Sequence, residues 1–65
     1  MKFLINGETA ESRAETLAGL LADFDYAEAK IATAVNGTFV PVGERGGHLL
    51  REGDAIEILA PMQGG

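Results

Sequence analysis

The chain has 65 residues, 46% of them hydrophobic, with a formal charge of −5 and no cysteine. That length admits one domain near the lower limit for a self-supporting core, where about 60% of the unfolded surface is buried. The hydrophobic share excludes a disordered chain, the acidity argues against nucleic acid and anionic membranes, whose binding is driven by Lys and Arg, and the missing cysteine excludes a disulfide framework, a thiolate metal site and a cysteine nucleophile.

In chain order, Met1 to Ile5 alternates, with Met1, Phe3 and Ile5 on one face and Lys2 and Leu4 on the other. Asn6-Gly7 suits a type I′ turn, which needs positive φ at both central residues, so Glu8 to Ser12 reads as a polar return strand. The period then changes. Leu17, Leu20, Leu21 and Phe24 form a helical stripe from about Glu15 to Phe24. Ser12-Arg13-Ala14-Glu15 fits a capping box, but a start at Thr16 leaves a link between strand and helix and is preferred. Gly19 costs about 1 kcal/mol relative to Ala in a helix, which points to a close approach there. Asp23 to Lys30 reads as a charged loop, with Tyr26 covering the edge of the core.

Ile31 to Val35 alternates again, Asn36-Gly37 makes a second hairpin turn, and Thr38 to Val40 returns before Pro41 removes a ladder donor. Val42 to His48, with Gly43, Gly46 and Gly47, reads as an irregular connection, after which Leu49 and Leu50 return to the core. Glu52-Gly53-Asp54 turns the chain into a last strand, Ala55 to Ala60, with Ile56 and Ile58 facing one way and Glu57 and Leu59 the other. Pro61 ends the pairing. One helix must then cover one face of a mixed sheet, and the first and last strands pair in parallel because their apolar faces share that helix. The expected fold is α+β of the β-grasp kind, a mixed sheet of four to five strands packed on one main α-helix. Residues 1–60 form the domain and 61–65 a flexible tail ending in Gly-Gly. The expected core is Phe3, Ile5, Leu17, Leu21, Phe24, Ile31, Val35, Val40, Leu50, Ile56 and Ile58.

Conventional catalytic chemistry finds little footing. His48 is the one histidine, and without a cysteine or a second histidine it reads as a solvated loop residue rather than a metal ligand. Gly43 to Gly47 lacks the Lys-Ser/Thr and the following helix of a phosphate-binding loop. The carboxylates are scattered, and a chain this short has no room for a deep pocket. No catalytic residue, no metal ligand and no bound cofactor are expected, and the protein is not an enzyme on its own. No apolar run approaches the ~20 residues of a membrane span, and the N-terminus lacks a signal-peptide pattern. A cytoplasmic protein without nucleic-acid or membrane partners follows, its acidity favouring basic protein partners. The remaining reactive group is the main-chain carboxylate of Gly65, left unhindered by Gly64-Gly65. Ionised at neutral pH and inert to nucleophiles, it needs activation, most economically as a mixed anhydride with AMP. That calls for a partner using ATP and Mg²⁺.

The helix residues Leu17-Ala18-Gly19-Leu20-Leu21, the hairpin Ala34-Val35-Asn36-Gly37-Thr38-Phe39-Val40-Pro41, the strand Glu52-Gly53-Asp54-Ala55-Ile56-Glu57-Ile58 and the closing Gly64-Gly65 together resemble the ThiS family, ubiquitin-like sulfur carrier proteins of thiamine (thiazole) biosynthesis. The resemblance spans essentially the whole chain. It implies that an E1-like, ThiF-like adenylyltransferase adenylates the Gly65 carboxylate. Sulfur carried as a persulfide by a cysteine desulfurase or rhodanese-like protein then displaces AMP. The resulting thiocarboxylate donates its sulfur to a ThiG-like thiazole synthase. Gly65 would carry the sulfur, Gly64 would let the tail enter both partners, and Met62 and Gln63 would lie along the channel. Beside the tail, Leu4, Ala32, Ala34, Phe39 and Leu59 point away from the helix, with Glu57 on the same face, and form the expected partner-docking surface. Three alternatives remain open: the small subunit of molybdopterin synthase, which shares the Gly-Gly end and thiocarboxylate and whose members tend to be longer before the last strand; a ubiquitin-like protein modifier, which would use the same activated Gly65; and a plain β-grasp interaction or regulatory domain whose glycines are incidental.

Overall fold

Two Asn-Gly turns close the two hairpins of the sheet. In both, asparagine and glycine take positive φ, +50° and +84° at Asn6-Gly7 and +51° and +83° at Asn36-Gly37, the twist that joins antiparallel strands through two residues. The structure, a computed structural model, describes residues 1–26 and 30–60. The first turn joins β1 (Lys2–Ile5) to β2 (Glu8–Glu11), and the second joins β3 (Ala32–Val35) to β4 (Thr38–Val40). The last strand, β5 (Ala55–Leu59), lies between the hairpins and completes a five-stranded sheet of order β2-β1-β5-β3-β4. It runs parallel to β1, with Leu4 opposite Ala55 and Ile5 opposite Ile56, and antiparallel to β3, with Thr33 opposite Ile58. Pairing of the first and last strands is thus as the shared apolar face requires, and the fold is the expected mixed sheet with one α-helix.

That helix, α1 (Leu17–Asp23), starts at Thr16, whose extended backbone and Oγ1, accepting from the Gly19 N–H at 3.1 Å, make it the N-cap. Gly19 is small for this cap. A Cβ there would lie 3.3 Å from Thr16 Oγ1 and 3.4 Å from Ala14 Cβ, so the element it admits is the helix's own entry. At the other end Asp25 takes φ +65°, and the Asp25 and Tyr26 N–H groups donate to the Ala22 and Leu21 carbonyls, a Schellman closure with aspartate in the left-handed position. Ser12 is no cap for α1; its Oγ accepts from the Ala14 N–H and donates to Asp23, tying the end of β2 to the end of the helix.

Leu17, Leu20 and Leu21 bury the helix stripe against Phe3, Val35, Val40, Ile56 and Ile58, with Leu50 closing the side. Ile5, Ile31 and Tyr26 pack at the margin. Three expectations fail. Phe24 is 37% exposed and outside the core; as the C-cap it sits past the last turn, where the stripe no longer faces the sheet. Leu20, left off the expected core, is fully buried. Leu49 is 72% exposed, because it bridges to Thr16 through main-chain bonds (Leu17 N–H to His48 O, 3.0 Å; Leu50 N–H to Glu15 O, 2.9 Å) and adjacent residues of an extended segment point to opposite sides.

Val42 to His48 is also not irregular. Val42–Gly47 forms a 3₁₀ helix, and Arg45 on it is buried. The Arg45 guanidinium donates from Nε to Thr33 Oγ1 at 3.1 Å and from Nη2 to the Ile31 carbonyl at 2.7 Å, and the Thr33 hydroxyl donates to the Val40 carbonyl at 2.9 Å. A buried cation is tolerable only when its donors are met, and here they anchor the start of β3.

Candidate functional site

The helix covers one face of the sheet and leaves the other to solvent. Period-two alternation and the observed register put Leu4, Ala55, Glu57, Leu59, Ala34, Ala32 and Phe39 on that open face. Ala32 stands opposite Leu59, and Ala34 is flanked by Glu57 on β5 and Phe39 on β4, so direct cross-strand neighbours link five of the six expected docking residues. Leu4 joins through Ala55, which the sequence reading omitted. Phe39 and Leu59 are 64% and 67% exposed and Leu4 38%. Large side chains thus stand at the outside of the patch with alanines between them.

Glu57 lies within this patch and not at its rim. Its strand neighbours on the face are Ala55 and Leu59, and its cross-strand partner is Ala34. A carboxylate set among apolar groups meets little competing charge and has strong reason to find a cation on any surface that covers it. Lys2 and Glu11, opposite each other on β1 and β2, supply the charged border beside Leu4.

The end of β5 is held from both sides. On one side Leu59 pairs with Ala32. On the other, β1 has already turned away at Asn6, and the Asn6 side chain takes its place: Oδ1 accepts from the Ile58 N–H at 2.8 Å and Nδ2 donates to the Ile58 carbonyl at 3.1 Å. Asn36 does the same at the start of β5, accepting from the Ala55 N–H at 3.0 Å while donating to Asp54 at 2.9 Å. Sequence reading found both asparagines for their backbone angles and missed the use of their amides. Met62, Gln63, Gly64 and Gly65, expected to enter a partner or carry the sulfur, lie outside the described residues.

His48 stands at the end of the 3₁₀ helix, half-buried, with its main chain bonded to Arg45 and Leu17. It borders two shallow depressions open to solvent, one with Gly43, Glu44 and Gly47, the other with Leu49, Arg51 and Asp54. Among the described residues no three His, Cys, Asp or Glu side chains converge as metal ligands would, and no helix is long and apolar enough to cross a membrane.

Comparison with known proteins adds the following. The model of the ThiS family matches residues 3–65. The chain is similar to a crystal structure of thiamine biosynthesis protein ThiS from Geobacter metallireducens, with 28% identity over the whole of both chains and a TM-score of 0.83. It is also similar to a solution structure of a thiamine biosynthesis protein from Geobacter metallireducens, with 26% identity, all of this chain, 88% of the other and a TM-score of 0.78. No curated protein matches.

Proposed function

The chain belongs to the ThiS family, and from that premise we propose that it is the sulfur carrier of thiamine thiazole biosynthesis, a co-substrate of partner enzymes in the cytoplasm and not a catalyst itself. The observation that carries the reading is the family match running through Gly65, supported by likeness to two thiamine biosynthesis structures along the whole of this chain.

In this reading the domain is a handle and the last residues are the working part. An E1-like, ThiF-like enzyme binds ATP and Mg²⁺, and the Gly65 carboxylate attacks the α-phosphate, releasing pyrophosphate and forming an acyl adenylate. A persulfide sulfur on a cysteine desulfurase or rhodanese-like donor attacks the acyl carbon and expels AMP. A second thiol then cleaves the resulting acyl disulfide and leaves the thiocarboxylate. The ThiG-like thiazole synthase takes the sulfur. Two terminal glycines suit this route, because the reacting carbon must pass a channel without side-chain bulk; Met62 and Gln63 line the approach. The open sheet face, Leu4, Ala32, Ala34, Phe39 and Leu59 with Glu57 among them, is the docking surface. Its apolar patch excludes water, and Glu57 meets a basic residue of the partner.

Three measurements test this. The chain should restore growth without thiamine to cells lacking their own carrier, and protein purified from its host should include a form with one terminal oxygen replaced by sulfur. Restoration of molybdenum-cofactor synthesis alone, or adducts on lysine, would transfer the assignment to a molybdopterin synthase subunit or a protein modifier. Deleting Gly65 should abolish sulfur transfer and leave the thermal midpoint unchanged; retained transfer would sink the mechanism.

A further inference from the structure

We propose that the Asn6 side chain is a positioning residue that fixes where the chain leaves the sheet, and so sets the reach of the residues that follow Ala60. The inference rests on the sulfur-carrier reading for its functional consequence, but its geometry stands apart from it. β1 and β5 pair only at Leu4–Ala55 and Ile5–Ile56. The Asn6 N–H still reaches the Ile56 carbonyl at 2.9 Å; beyond it, the backbone of β1 has departed. Ile58 would have no main-chain partner on that side. The Asn6 amide supplies both missing bonds at once, prolonging the ladder by one step with a side chain.

The turn itself does not demand asparagine. Asp-Gly and Gly-Gly form type I′ turns as well. Glycine has no side chain to offer Ile58, and aspartate has only acceptors, so it would set a carboxylate oxygen against the Ile58 carbonyl. Asparagine alone satisfies the turn and also presents one donor and one acceptor. Without the Asn6 bonds the end of β5 is held only by β3, through Thr33–Ile58 and Ala32–Leu59; when that edge frays, Ile58 and Leu59 leave the sheet and lengthen the tether by roughly 7 Å. A reacting group on a longer tether has a lower effective concentration at a fixed site, and small misplacements cost large factors in rate.

Asn36 is the built-in control. It occupies the same turn type and bonds the same strand through its amide, but at the end remote from Ala60. N6G and N36G share the glycine entropy cost and lose comparable bonds, and N6D keeps the turn. The three variants and the wild type are compared by amide exchange and by pyrophosphate release with the cognate adenylyltransferase. In N6G, exchange at the Ile58 amide should accelerate roughly tenfold, and by less in N6D, whose carboxylate still accepts from that N–H while losing the bond to the Ile58 carbonyl. The kcat of both should fall on the order of tenfold, with KM within about twofold because the sheet face is intact. N36G should lose similar thermal stability and keep its kcat.

Protection of Ile58 unchanged in N6G, or a kcat loss in N6G no greater than in N36G, overturns the proposal. A wild-type chain that the adenylyltransferase does not turn over overturns the carrier reading, and the positioning role with it. A wild-type chain that is turned over while N6G behaves as N36G overturns the positioning role alone.

Discussion

The two faces of one sheet are built from the same strands and answer to different demands. Under α1, Phe3, Val35, Val40, Ile56 and Ile58 are buried and fill a fixed volume, and even the polar member, Thr33, is bonded on both sides, to Arg45 and Val40. On the open face β3 and β5 carry the small residues Ala32, Ala34 and Ala55, while Phe39 and Leu59 stand well into solvent. The covered face stabilises the domain through close packing, where lost methylenes cost heavily. The open face contributes little to folding, which leaves its side chains available for a partner. In the proposed docking model, stability and recognition therefore fall to alternate residues of the same strand, down to neighbours such as Ile58 and Leu59.

This division can be broken or sharpened by substitution. The largest effect is expected on the covered face: Ile56→Ala should cost about 2–5 kcal/mol, a large share of the total stability of a domain this small. Chemical denaturation measures it, and a loss below about 1 kcal/mol would contradict the tight packing inferred there. Next, Arg45→Met keeps much of the side-chain volume and removes both bonds, to Thr33 and to the Ile31 carbonyl just before β3, leaving that carbonyl without its donor; the expected cost is about 1–3 kcal/mol. A neutral result in the same assay would mean that burying the guanidinium cancels what its bonds contribute. The smallest effect on folding belongs to the open face. Phe39→Ala and Leu59→Ala should each stay within about 0.5 kcal/mol of the parent yet weaken partner binding by roughly tenfold, as the large exposed apolar contacts of an interface do. Calorimetric titration with the adenylyltransferase checks this, and unchanged affinity would remove the face from the docking model.

Much of this was legible in the residues. Alternation separated Ile56 and Ile58 from Glu57 and Leu59 because a strand's side-chain period is two whatever surrounds it. The Asn-Gly pairs announced both turns because positive φ is a local requirement. Thr16 was readable as a cap for the same reason. The misses share a different character. Arg45 was hidden in a run of glycines, and nothing local distinguishes an arginine that reaches Thr33, twelve residues away, from one in solvent. Leu49 and Phe24 were assigned to the core by hydrophobicity, although their direction depends on where Thr16 and the last helical turn happen to sit. Alternation also put Glu57 on the face of the patch, but its place among Ala34, Ala55 and Leu59 rather than at the edge became apparent only with the register of β3 and β5.

By itself, then, the sequence determined the order of elements, the turns, the faces of each strand and the family, since these follow from periodicity, backbone angles and motifs that act within a few residues. Tertiary structure alone decided which side chains complete another strand's hydrogen bonds: Arg45 at Ile31 and Thr33, Asn36 at Ala55, Asn6 at Ile58. Those contacts join residues far apart in the chain, and a donor or acceptor carries no mark of its distant partner until packing brings the two together.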